Sequence, residues 1–130
     1  MNVGIIIPCF NEENRLDFKN FKKCLKTYHD FQLCFVNDGS TDNTLNLLSS
    51  FQQKFRKRVT VIDMKKNKGK SFAIKVGSRF LYSLKKINYV GYLDPDLFND
   101  SKGFNNLIEQ LKLEKEIITV FDKHQFRKKK

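Results

Sequence analysis

The sequence begins with a β-branched run, Val3-Gly4-Ile5-Ile6-Ile7, which leads through Pro8 into the polar stretch Cys9-Phe10-Asn11-Glu12-Glu13. A continuous apolar run of this length predicts a buried strand, which Pro8 ends, and the polar stretch predicts a loop. Four more apolar runs follow at intervals of about thirty residues. The predicted strands are 3–7, 33–36, 59–62, 89–93 and 117–121.

Helical patterns separate these strands. Apolar residues recur there at spacings of three and four, as at Phe21, Leu25 and Tyr28, and a last such stripe spans 104–111. Strands that are apolar throughout suit a sheet covered on both faces, and right-handed crossovers make such a sheet parallel. The sequence therefore predicts an α/β fold, a Rossmann-like three-layer α/β/α domain with a mostly parallel sheet.

Composition narrows the class of protein. The chain has 130 residues, 40% of them hydrophobic, which suits one domain with one core. Its formal net charge of +11 favours anionic partners, namely nucleic acid, phosphorylated small molecules or an acidic membrane surface. Three cysteines without a C-x-x-C spacing indicate neither a disulfide framework nor a zinc site. With no signal peptide in view, we expect a cytoplasmic protein.

Four predicted loops carry most of the candidate chemistry. Ligands of parallel α/β sheets bind in the crevice beyond the carboxyl ends of the strands. The loops that leave those ends are all rich in polar and charged residues, and they comprise 8–13, 37–42, 65–70 and 94–96. We therefore expect the functional site where these four loops meet.

The acidic pair Asp94-Pro95-Asp96 allows two interpretations. Two carboxylates separated by one residue repel each other unless a cation lies near, and Mg²⁺ or Mn²⁺ is the hard cation that such oxygens prefer. A cation there could hold a diphosphate leaving group. Alternatively, the segment is a tight turn in which Asp96 caps the next helix. The residues alone leave both open.

The remaining loops are open to similar alternatives. Asp38 follows the second strand, where an acid commonly binds a ribose or base, but an Asp-Gly turn accounts for it without a ligand. Phe10 could stack on a nucleotide base or belong to the core. Residues 11–13 could form a loop or begin a helix, since acidic residues suit the positive end of a helix dipole. The segment 67–71 ends like a P-loop but has Met64 at the required glycine, which disfavours a Walker-type NTPase. Its Gly-Lys turn still suits phosphate oxygens.

Taken in order, four segments resemble family-2 glycosyltransferases with the GT-A fold. Residues 5–13 are similar to the opening I-P-x-Y-N-E, and residues 36–44 to V-D-D-G-S-x-D-x-T. Residues 67–77 match N-x-G-x-x-x-A-x-x-x-G, and residues 92–97 resemble the D-x-D motif in its L-D-A-D-L form. The most similar subgroup transfers sugars to polyprenyl or dolichyl phosphate.

The resemblance implies an activity and a set of site residues. The activity is the metal-dependent transfer of a sugar, with inversion, from a UDP- or GDP-sugar to an acceptor such as a lipid phosphate, with Mg²⁺ or Mn²⁺ as cofactor. Asp96 is implied as the direct metal ligand, together with Asp94. The implied donor-binding residues are Pro8, Phe10, Glu12, Asp38, Lys70 and Asp94.

Three departures qualify the resemblance. Asn37 replaces the first acid of D-D-G-S, and Pro95 replaces the small residue between the two acids. The family's catalytic domains also continue beyond the length seen here. We therefore expect residues 1–130 to form the donor-binding domain, without the acceptor half or the general base that it supplies.

Two other functions stay open on the sequence alone. One is a nucleotide-binding fragment without catalytic activity. The other is a basic nucleic-acid-binding module that uses clusters such as 54–58 and 127–130, although no nucleic-acid motif supports it. The same clusters suit peripheral association with an anionic membrane.

Overall fold

The computed structural model describes residues 2–96, Lys102 and the backbone of 119–121 and 124–128. The elements within these residues are β1 (Val3–Cys9), α1 (Phe18–Thr27), β2 (Phe31–Asn37), α2 (Thr44–Lys54), β3 (Val59–Asp63), α3 (Lys70–Tyr82), β4 (Tyr89–Tyr92), β5 (Thr119–Phe121) and β6 (His124–Lys128).

The strands form one sheet in the order β3-β2-β1-β4-β6-β5. The pairs β1–β2, β1–β4 and β2–β3 are parallel, whereas β6 is antiparallel to β4 and β5. The predicted α/β fold with a mostly parallel sheet is confirmed. Because the chain moves from β1 outward to β3 and then returns to β4 on the other side, its topological switch point lies between β1 and β4.

The prediction that Pro8 ends the first strand was wrong. Pro8 lies inside β1 and pairs in register with Val36 of β2. The carbonyl of Ile6 accepts a hydrogen bond from Leu93 on the β4 side, and that of Cys9 accepts one from Asp38 on the β2 side. Backbone polar groups of successive strand residues face opposite neighbours, so the Pro8 nitrogen, two residues after Ile6, faces the β4 side. The pairing of β1 with β4 already ends at Ile6. The missing N–H of Pro8 therefore breaks no ladder bond.

The end of the chain also differs from the prediction. The last predicted strand, 117–121, is observed over Thr119–Phe121, and its first two residues lie outside the described residues. The additional strand β6 was not predicted, because its charged residues interrupt the apolar pattern and its pairing with β4 is long-range. The helical stripe expected at 104–111 lies outside the described residues as well.

Alternate residues of the central strands belong to two separate cores. Ile5 packs in one cluster with α1 and α2, which contribute Phe21 and Phe51. Ile6, one position along, packs in the other cluster with α3, which contributes Ala73. Since successive side chains of a strand point to opposite faces, α1 and α2 cover one face of the sheet and α3 covers the other. The three predicted layers follow from this division.

Arg58 belongs to the fold rather than to a basic surface. Its guanidinium donates hydrogen bonds to the carbonyl oxygens of Phe31 at 2.7 Å, Leu25 at 3.0 Å and Tyr28 at 2.6 Å. These bonds join the end of α1 to the start of β2 and β3. The sequence cluster 54–58 therefore offers one cation fewer to an external polyanion than its composition suggests.

The motif residues Ala73 and Gly77 allow α3 to lie close to the sheet. Both are buried and lie one helical turn apart. A Cβ atom at Gly77 would lie 2.7 Å from Cγ2 of Ile6 and 3.3 Å from Cγ2 of Val36. Real Cβ atoms do not approach this closely, so a larger residue would push α3 away from β1 and β2.

We expect Gly77→Val to lower the free energy of unfolding by about 1–3 kcal/mol, because overpacking a filled interior forces side chains and backbone apart. Urea unfolding followed by circular dichroism measures this. The control is Lys75→Val, which places the same side chain on the exposed side of α3. Equal losses in the two variants would contradict the proposed close contact at Gly77.

Candidate functional site

A cavity of about 430 Å³ lies at the carboxyl ends of the parallel strands. Each of the seven site residues predicted from sequence lines it, so the expected convergence of the loops is found. Their individual roles remain predictions. The lining residues are Pro8, Cys9, Phe10, Glu12, Asp38, Asn67, Gly69, Lys70, Asp94, Pro95 and Asp96.

Side-chain bonds hold the first two loops together. Asn11, at a positive φ of 49°, accepts a hydrogen bond from the Thr41 N–H at 2.8 Å and donates its own N–H to Ser40 Oγ at 2.9 Å. The N–H of Glu12 donates to Thr44 Oγ1 at 2.9 Å. Residues 11–13 are therefore a loop and not a helix start, since α1 begins at Phe18 behind its own cap, Asp17.

Asp38 connects the second loop to the third. The residue is 4% exposed, and its carboxylate accepts hydrogen bonds from the backbone N–H of Lys68 at 2.8 Å and of Gly69 at 3.0 Å. The Asn67 side chain donates to the Asp38 carbonyl at 3.0 Å and lies 3.3 Å from its carboxylate. Asp38 thus orients the loop that opens α3, whether or not it also contacts a ligand.

The close contact of these two loops requires a glycine. Gly39 has a φ of +66°, and a Cβ atom there would lie 2.2 Å from the backbone nitrogen of Asn67. An Asp-Gly turn is present at Asp38 and Gly39, and it does not prevent Asp38, which lines the cavity, from contacting a ligand. Because Asp38 already occupies the N–H groups of Lys68 and Gly69, phosphate oxygens at this turn would meet the first-turn N–H groups of α3 and the Lys70 side chain instead.

Lys70 and Asp94 form an ion pair across the cavity. Lys70 Nζ lies 2.5 Å from Asp94 Oδ1, and the two side chains are 44% and 28% exposed. The same ammonium group lies 5.6 Å from the centre of the Tyr92 ring. Lys70 therefore links the start of α3 to the acidic loop, and Asp94 has a cationic partner within the chain.

Glu12 is a largely buried carboxyl group beside the acidic loop. Burial raises the pKa of Glu12 above its ordinary value of 4.5; Arg15 opposes that effect, and the charge of Asp96 adds to it. Glu12 Oε2 lies 3.1 Å from Arg15 Nε, in a contact without hydrogen-bond geometry. This carboxyl group would therefore be easier to ionise beside an additional cation.

Phe10 and Cys9 have different environments although they adjoin. Phe10 is 43% exposed at the cavity wall, which suits stacking on a planar ring and disfavours the core interpretation. Cys9, which the sequence did not single out as a site residue, is buried, and burial raises the pKa of its thiol beyond the usual range. It lines the cavity as an inert apolar group.

The carboxylates of the cavity could supply part of a coordination shell for a cation. Among residues whose positions are described, no group of three His, Cys, Asp or Glu side chains is arranged to hold a metal ion. Asp94 and Asp96 share one loop and one cavity with Glu12 nearby. Two carboxylates plus phosphate oxygens and water are a usual set for Mg²⁺, so the residues fit a cation that binds together with a diphosphate.

Comparison with protein-family models identifies the family of the chain. The family model described as glycosyl transferase family 2 matches residues 4–129. Since that match spans nearly the whole chain, the chain belongs to glycosyl transferase family 2. The resemblance carried by the four sequence segments is confirmed.

Two curated relatives illustrate the similarity. An uncharacterised protein of Methanocaldococcus jannaschii is 37% identical over 108 residues, which are 82% of this chain and 45% of that protein. The undecaprenyl-phosphate 4-deoxy-4-formamido-L-arabinose transferase of Pseudomonas fluorescens is 28% identical over 119 residues, which are 89% of this chain and 34% of that protein. The chain spans less than half the length of both relatives.

A solved structure bears on the fold. The mannosyltransferase of Pyrobaculum calidifontis, in complex with GDP-Man and Mn²⁺, aligns with a TM-score of 0.57 at 18% identity, over 85% of this chain and 32% of that chain. This likeness confirms a glycosyltransferase fold of the GT-A type. No helix in the described part of the chain has the length and apolar character needed to cross a membrane.

We expect Asp38→Ala to lower the free energy of unfolding by about 2–4 kcal/mol, because two backbone N–H groups lose a charged acceptor. Chemical denaturation measures the loss. Asp38→Asn keeps one acceptor oxygen and should lose roughly half as much. Equal stability of the wild type and Asp38→Ala would show that these bonds do not hold the loop.

Glu12 should make stability depend on pH. A carboxyl group with a raised pKa in the folded state stabilises the fold while it is protonated, and this contribution is lost as the pH rises from the unfolded pKa through the folded one. Glu12→Gln removes the titrating group. The stability of Glu12→Gln relative to the wild type should therefore increase as the pH rises from about 4 to 7.

Denaturation of both proteins at several pH values checks this expectation. Glu13→Gln removes a neighbouring charge outside the cavity lining and serves as the control. A stability difference between Glu12→Gln and the wild type that stays constant with pH would contradict the raised pKa.

Proposed function

We propose that this chain binds the nucleotide-sugar donor of a family-2 glycosyltransferase that transfers the sugar to a lipid phosphate. The observation that carries the proposal is the convergence of an exposed aromatic ring, a lysine at the start of a helix and an acidic pair on one cavity. These groups match the base, the diphosphate and a divalent cation, respectively. On this proposal, residues 1–130 act as the donor-binding domain.

The base is proposed to bind between Pro8 and Phe10, where the half-exposed ring offers a stacking surface. Asp38 supports this end of the cavity by fixing the loop that contains Asn67. The nucleoside then lies at the topological switch point, from which its diphosphate reaches the first turn of α3.

The diphosphate is proposed to exchange the ion pair between Lys70 and Asp94 for two new ones. Lys70 donates to a diphosphate oxygen, and Asp94, released from Lys70, becomes available as a metal ligand together with Asp96. Asp94 and Asp96 would hold Mg²⁺ or Mn²⁺, which would offset the negative charge of the leaving group. Asp94 thus has a cationic partner both before and after the exchange. Because neither state leaves its carboxylate unpaired, the exchange favours binding of the cation and the nucleotide together.

The acceptor is proposed to be a lipid phosphate, a class named in the Pseudomonas fluorescens relative. A phosphate monoester with a second pKa of about 6 is largely ionised at neutral pH and attacks without a general base. Its oxygen forms a bond to the anomeric carbon as the bond from that carbon to the diphosphate breaks. The electron pair leaves with the nucleoside diphosphate, and attack in line with the leaving group inverts the anomeric centre.

Thermal and urea unfolding with UDP- and GDP-sugars tests donor binding. A ligand at 100 times its dissociation constant should raise the free energy of unfolding by about 2.7 kcal/mol. We expect the increase with one of these donors in the presence of Mn²⁺, and a smaller one with EDTA.

Two substitutions sharpen this test. Asp96→Asn should lose the Mn²⁺-dependent part of the increase, because it removes a carboxylate from the cavity. Asp63→Asn removes the same charge at the end of β3, outside the lining of this cavity, and should retain it. No stabilisation by any nucleotide sugar, or equal stabilisation of Asp96→Asn and the wild type, would contradict the proposal.

A further inference from the structure

The exposed side of α3 and the turn before it carry a row of three basic and two aromatic residues. Spacings of three, four and three place Phe72, Lys75, Arg79 and Tyr82 on one side of the helix. Lys68 precedes the helix, and its ammonium group lies near the Phe72 ring. All five residues are exposed. We call this row the basic–aromatic stripe, and its members are Lys68, Phe72, Lys75, Arg79 and Tyr82.

The aromatic members are unusually exposed for this protein. Phe72 is 41% exposed and Tyr82 is 44% exposed. Among the described residues, Phe10 at the cavity is the other large apolar side chain with comparable exposure. Lys68 Nζ lies 4.9 Å from the centre of the Phe72 ring, a distance that permits a cation–π contact. The stripe therefore offers apolar and cationic groups side by side.

The charged side chains of the sequence segment that contains the stripe all have one sign. No aspartate or glutamate occurs between Asp63 and Asp94, whereas that segment contains seven lysines and one arginine. Lys65 and Lys66, just before the stripe, are exposed too. A surface of this kind attracts a partner with many negative charges rather than one counterion.

The stripe adjoins the cavity. α3 covers the face of the sheet opposite α1 and α2, and its first residue, Lys70, lines the cavity. The helix is about 20 Å long at 1.5 Å per residue. A partner that lies along α3 therefore comes close to the site of the acidic pair without covering the loops of the opposite face.

We propose that the basic–aromatic stripe docks this protein on the surface of an anionic lipid bilayer. This inference rests on the proposed function, since a lipid-phosphate acceptor lies in such a surface. Aromatic rings favour the interface between headgroups and acyl chains, and lysine and arginine bind anionic headgroups. Single-stranded nucleic acid binds in grooves lined by aromatic side chains. The stripe instead lies on the convex surface of a helix, and this shape favours a planar bilayer over a single strand as its partner.

Co-sedimentation of the 130-residue chain with vesicles tests the docking. We expect binding to phosphatidylcholine vesicles that contain phosphatidylglycerol and little binding to phosphatidylcholine alone. The double variant Lys75→Gln/Arg79→Gln should weaken binding by up to about 25-fold, from roughly fivefold for each basic residue near the surface. Phe72→Ser should weaken binding even at high salt, where the electrostatic part is screened.

The matched control is Lys22→Gln/Lys26→Gln, which removes two exposed lysines from α1 on the opposite face. It should bind vesicles within about twofold of the wild type, since its charges lie away from the docked surface. Equal weakening by both double variants would overturn the stripe as the docking site, as would the absence of binding to anionic vesicles. Displacement from vesicles by a single-stranded oligonucleotide that binds more tightly would assign the stripe to nucleic acid.

Donor binding is measured separately, without vesicles. Donor binding without vesicle binding would overturn the docking inference and leave the proposed function in place. Vesicle binding that depends on the stripe, without binding of any nucleotide sugar, would support the docking surface and contradict the proposed function.

Discussion

The hydrogen bonds of the Asp38 carboxylate to the backbone of Lys68 and Gly69 are the contacts on which the site depends. They join the end of β2 to the loop before α3, and they do so with a charged acceptor in a buried place, where such bonds are strong. The direction of that loop determines where Lys70 enters the cavity. Lys70 in turn pairs with Asp94 and so connects α3 to the acidic loop. The positions of Lys70 and Asp94 in the cavity thus depend on the Asp38 carboxylate.

The sequence predicts the fold well because the relevant signals are local. Runs such as 3–7 and 33–36 are apolar throughout, and that property is enough to distinguish buried strands from the helices between them. The convergence of four distant loops also follows without coordinates, since the carboxyl ends of parallel strands meet at one edge. For this reason every predicted site residue is found at the same cavity.

What the sequence does not predict depends on partners far apart in the chain. Pro8 looks like the end of a strand until the limited length of its pairing with β4 is known. Asp38 allows a ligand or a turn, and only its bonds to Lys68 and Gly69 reveal that it orients a neighbouring loop. The basic cluster around Arg58 suggests an external polyanion, whereas its guanidinium binds three carbonyl groups of the chain itself. No local pattern encodes such pairings.

The tight approach of Gly39 to Asn67 leaves the two ends of the cavity with unequal freedom. At that contact, backbone meets backbone without space for one more carbon atom, so a side chain at position 39 would push apart the loops that contain Asp38 and Asn67. At the opposite end, one solvent-accessible ion pair joins Asp94 to Lys70. Under the proposed function, the loops beside the nucleoside would therefore be rigid, whereas the groups that bind the diphosphate and the cation could rearrange. Such a division would let the ion pair open for an incoming donor while the rest of the cavity keeps its shape.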